Sequence, residues 1–74
     1  MPKLGVFSGS ELCKILEAHG FHVVRHRRSS HVIMQKFDND TTITVPIPLH
    51  KFVKIGTLQS IIRQSELPKD LFVK

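Results

Sequence analysis

The stretch FHVVRHRRSSHVIMQKFDNDTTITV, residues 21–45, decides the fold. Residues 21–25 are rich in β-formers and read as a first strand. Arg27-Arg28-Ser29 reads as a polar turn. Residues 30–37 read as a second strand, with Val32 and Met34 on one face and His31, Ile33 and Gln35 on the other. Asp38-Asn39-Asp40 is a cluster of turn residues. Residues 41–45 are β-branched at every position and read as a third strand. Pro46 and Pro48 are expected to end it, because proline cannot donate to a ladder.

Helical periods flank this run on both sides. Ser8-Gly9-Ser10-Glu11 matches a capping box, and Leu12, Ile15 and Leu16 follow at i, i+3, i+4. Gly20 stands where a helix stop with positive φ is wanted, which predicts a helix over residues 9–19. Residues 50–56 read as a basic connector carrying Lys51 and Lys54. From Thr57 the helical period returns through Leu58, Ile61 and Ile62. Pro68 suits the first turn of a short last helix reaching Phe72. Short links between strands favour an antiparallel meander. The expected fold is α+β, a two-layer sandwich in the order α-β-β-β-α. Both helices cover one face of a three-stranded antiparallel sheet, and the other face is left open. With 74 residues, the chain has room for one domain, residues 1–74, and one small core.

Composition narrows the functional classes. Hydrophobic residues make up 41% and charged residues 23% of the chain, which suits a folded protein and not a disordered one. No apolar run approaches the roughly 20 residues that span a bilayer, so no membrane association is expected. The first five residues carry one Lys and no apolar stretch, unlike a secretory leader. The single cysteine, Cys13, forms no internal disulfide and fits a reducing compartment, which points to the cytoplasm. Eleven Lys and Arg against six Asp and Glu give a net charge of +5. A small domain this basic attracts polyanions, because neutralised phosphates release condensed counterions. Most of the five Phe have apolar neighbours and are expected in the core, so base stacking is not expected to drive binding.

The densest polar feature is Arg25-His26-Arg27-Arg28-Ser29-Ser30-His31. Arg side chains clamp phosphate oxygens in bidentate fashion. A histidine beside them can move a proton near neutral pH. Cleaving a phosphodiester needs a base, an acid and cations facing the developing charge, and this segment offers all three. Read without any such chemistry, the same segment is a solvated hairpin tip. His50 follows the Pro-x-Pro run as a further phosphate contact or acid–base group. Lys36, Lys51 and Lys54 extend the basic surface. His22 and His26 share a strand face by period two, but no second ligand pair accompanies them, so no metal is expected. His19 suits the C-terminal end of its helix. Cys13 reads as structural, not as a nucleophile.

The segment Arg25 to His31, with apolar alternation after it, resembles the HicA family of bacterial toxins, in which a Gly-Ser-His tripeptide opens the second strand. Gly20-Phe21 lies before it. Val45-Pro46-Ile47-Pro48-Leu49-His50 and Gly56-Thr57-Leu58-Gln59-Ser60-Ile61-Ile62-Arg63-Gln64 follow in the family's order. The resemblance covers nearly the whole chain, from Gly9 to Phe72. It implies a fold like that of double-stranded-RNA-binding domains. It implies a toxin that cleaves messenger RNA as a metal-independent, cofactor-free endoribonuclease, with His31 as the catalytic histidine. Arg25, Arg27, Arg28, Ser30, Lys36, His50, Lys51 and Lys54 are then the candidate RNA-binding set. It also implies a HicB-like antitoxin that covers the active face. The alternative on the same fold is a non-catalytic module for double-stranded RNA. Ser29 departs from the pattern, standing where the family carries glycine. A position that needs positive φ would be strained there and would shift His31.

Overall fold

The computed structural model describes residues 5–27 and 31–73, with His26 and Arg27 as backbone only. Among them the order is α1 (Gly9–Ala18), β1 (His22–Arg27), β2 (His31–Asp38), β3 (Thr41–Pro48) and α2 (Ile55–Ser65). A 3-10 turn at Lys69–Phe72 follows. The sheet is antiparallel with strand order β1-β2-β3, which confirms the α-β-β-β-α sandwich. The expected turn at residues 27–29 and the start of β2 at Ser30 fall partly outside the described residues.

α1 begins and ends as its sequence dictates. Ser8 Oγ accepts from Glu11 N–H, and the Glu11 carboxylate accepts from Ser8 N–H. At the other end Gly20 has φ +96°, a region that L side chains rarely adopt. Its N–H donates to the Glu17 carbonyl and that of Phe21 to the Leu16 carbonyl. These two bonds form a Schellman stop, which turns the chain into β1. The β2–β3 hairpin closes on Asn39 and Asp40, both at positive φ, as a tight turn of the primed type needs.

β3 runs three residues beyond its expected end. Pro46 stands opposite Ile33, and Pro48 opposite His31. β3 is an edge strand, so one side of its ladder has no partner. The two prolines are two positions apart, and their missing donors fall together on that unpartnered side. α2 starts two residues before Thr57, with Lys54 as an N-cap that makes no side-chain bond. No Ser, Thr, Asp or Asn marks that start, and Gly56-Thr57 is a poor helical opening.

One core joins all the layers. Leu12 and Leu16 of α1 and Leu58 and Ile61 of α2 pack with Val32 and Met34 of β2 and Val45 and Ile47 of β3. Phe7, Phe21, Val53 and Phe72 close its margins. Both helices therefore lie on the even-numbered side of β2. The odd-numbered side, with Ile33, Gln35 and Phe37, faces away from them, and only at its His31 end does it come near α2 residues.

Candidate functional site

A groove of about 440 Å³ opens where the start of β2, the end of β3 and α2 meet. Pro46, Pro48, Val53 and Ile61 give it apolar walls, and His31, His50, Lys54, Thr57, Ser60 and Gln64 give it polar groups. His31 is the first residue of β2 and is exposed. It stands between Arg27 on β1 and Pro48 on β3.

His50 reaches the groove by another route. It lies just past β3, and its carbonyl accepts from Gly9 N–H at 2.9 Å. Val53 N–H donates to the Phe7 carbonyl at 2.9 Å. The segment between β3 and α2 is thus laced to the entry of α1. Gly9 is required for this approach, because a Cβ there would lie 2.8 Å from Leu49 Cα and closer still to the Pro48 carbonyl oxygen. The sequence shows Gly9 only as a position in a capping box. Its contact with Pro48 and Leu49 carries no sequence signal.

Lys54 caps α2 from the groove wall. The first turn of α2 holds no acidic residue, and no side chain caps it. The positive end of the helix dipole is therefore left unneutralised on the groove wall, to which Lys54 adds a cation, and the two together favour an anion.

The other expected residues lie elsewhere. Lys51 is exposed on the connector and does not line the groove. Arg25 is exposed on β1 and lines a second, shallower depression with Val24, Ile33, Gln35 and Thr44. Lys36 lies near the opposite end of β2, with its ammonium 5.8 Å from the Phe21 ring centre, within cation–π range. Arg27 is opposite His31 in register, described as backbone only. Arg28, Ser29 and Ser30 lie outside the described residues.

One expectation changes, and the others are sharpened. The register of β1 slips between Val23 and Arg25. His22 therefore stands opposite Gln35 and His26 opposite Val32, so period two does not hold across the bulge. Among the described residues no three His, Cys, Asp or Glu gather in a metal-binding group. Phe7, Phe21 and Phe72 are core residues, but Phe37 is 72% and Phe52 71% exposed. Cys13 is half-buried, and burial, reinforced by the nearby Glu17 carboxylate, pushes its thiol pKa up, away from nucleophilic use.

Fold and groove together define a small basic α+β protein with a histidine-bearing, anion-attracting cleft at one end of an open sheet. The family model described as the HicA toxin of bacterial toxin–antitoxin systems matches residues 9–67. The chain belongs to this family and is a toxin that pairs with an antitoxin. No curated protein and no solved structure matches it. Among the described residues no helix is long and apolar enough to cross a membrane.

Proposed function

We propose that this toxin is an endoribonuclease that cuts messenger RNA in the cytoplasm. In this reading His31 is the catalytic histidine, and a HicB-type antitoxin silences the toxin by covering the groove. One observation supports this best: in a chain of the HicA family, His31 shares a groove with His50 and Lys54.

The chemistry asks little of so small a protein. One imidazole takes the proton of the attacking hydroxyl, whether from the ribose or from water. The phosphorus–oxygen bond to the leaving nucleoside breaks as the new one forms. A second group returns a proton to the leaving oxygen. Lys54 and the uncapped start of α2 face the phosphate and stabilise the charge that develops on its oxygens. Arg27 and Arg28 precede His31 in sequence and are read as adding to the phosphate clamp.

The test is cleavage of a messenger RNA by wild type and His31→Ala in EDTA, with folding of both confirmed by circular dichroism. Wild type cuts without metal, and the variant loses at least about 100-fold in rate, the scale of a lost acid–base group. Equal cleavage by the two proteins would remove His31 from the mechanism.

A further inference from the structure

The side of the sheet that faces away from the helices carries a feature the groove does not use. Phe37, 72% exposed, has the His22 ring beside it at 6.1 Å between centres and 32° between planes. An aromatic this exposed contributes little to the core and presents most of its side chain to solvent. The β1 bulge decides what accompanies it. Because the register slips between Val23 and Arg25, His22 stands opposite Gln35 and Arg25 opposite Ile33. Both partners lie on the open side of β2. Period two alone would put His22 and Arg25 on opposite faces.

A shallow depression of about 410 Å³ includes Arg25, Gln35 and Thr44 and lies between Phe37 and His31 along β2. Val24 and Ile33 line it as well, so polar and apolar groups alternate there, and the Gln35 amide donates to Thr44 Oγ1 at 3.2 Å. His31 and Phe37 are six residues apart on one strand face, or about 20 Å. The row thus begins in the groove and ends at the Asp38–Asp40 hairpin, whose acids repel a polyanion from going further.

We propose that this face is a track for single-stranded RNA leading out of the groove, with His22 and Phe37 as a base-stacking platform at its far end. The proposal rests on the ribonuclease reading of the groove. Arg25 meets a phosphate midway, and Gln35 and Thr44 offer hydrogen bonds to base edges. Duplex RNA hides its base faces within the stack and gains nothing from Phe37. A protein partner would gain from a continuous apolar patch, whereas here His22, Arg25, Gln35 and Thr44 interrupt the apolar groups. The length suits roughly four nucleotides, the low end of known single-strand platforms.

The test uses the full chain with His31→Ala, so that RNA survives, and follows backbone amide NMR shifts. The probes are hexaadenylate and the dinucleotide ApA. Hexaadenylate shifts His22, Gln35 and Phe37 together with His50 and Lys54, whereas ApA shifts the groove residues alone. A further Phe37→Ala change weakens hexaadenylate binding by about 5- to 100-fold, as loss of one stacked base would, and Phe37→Tyr restores it. Shifts confined to the groove with both probes would overturn the track and leave the ribonuclease reading standing. No shift at either place would overturn both.

Discussion

His50 and His31 come to one groove from different parts of the chain, and that difference predicts different sensitivities. His31 sits on the central strand, held on both sides by ladder partners. His50 sits beyond the edge strand, fixed through its backbone to Gly9. If His31 takes one proton and His50 supplies the other, each single loss slows cleavage, and the double loss adds little beyond the first. His50→Ala is expected to lower the rate about 10- to 100-fold, less than His31→Ala, because solvent can deliver a proton to an exposed leaving group. Single-turnover cleavage at saturating RNA measures this. A His50→Ala enzyme with unchanged rate but weakened binding would assign His50 to phosphate contact alone.

At the scale of elements, the link between α1 and the end of β3 is the part of the site most open to damage. Gly9→Ala places a methyl group against the backbone of Pro48 and Leu49, and backbone cannot step aside as a long side chain can. The expected cost is about 1–3 kcal/mol. In a chain of this size each 1 kcal/mol lowers the melting temperature by about 4–8 °C. Thermal unfolding measures it, and a Gly9→Ala protein that melts with wild type would show that the segment yields freely. Such local devices also separate what the sequence shows from what it hides. Ser8, Glu11, Gly20 and the Asn39-Asp40 turn each act through a neighbour a few residues away, so they are legible along the chain. The edge position of β3 is set by strand order, and so the tolerance of Pro46 and Pro48 was not legible. The β1 bulge carries no glycine to announce it, and so the shared face of His22 and Arg25 was hidden. Phe37 was readable in principle, since it has the parity of His31, Ile33 and Gln35. Composition argued against that reading, because a phenylalanine is ordinarily core. Of the candidate site, His31 and His50 were named from motif order, but only the fold shows them sharing a groove.

For the whole molecule, the question is how its +5 charge is divided between surfaces. Single-stranded RNA binding loses affinity with salt at a slope of about −0.7 per phosphate neutralised. Charge that merely surrounds the protein steers encounter but adds no fixed contact. Lys54 lines the groove beside the start of α2 and Arg25 lies on the open sheet face, so both belong to the proposed contact set. Lys36 extends over Phe21 and beside Gly20, near the opposite end of β2 from His31, and lies outside that set. Each of Lys54→Gln and Arg25→Gln, made in the His31→Ala background, should flatten the slope of log K against log salt by about 0.7. Lys36→Gln should lower affinity slightly at low salt and leave the slope unchanged. Fluorescence anisotropy of a labelled hexaadenylate across a salt series reads all three. Equal effects from the three lysine and arginine changes would mean that RNA meets a diffuse cationic surface and not a groove and track. A flattened slope for Lys54 and Arg25 alone would mean that the strand lies along one end and one face of the sheet.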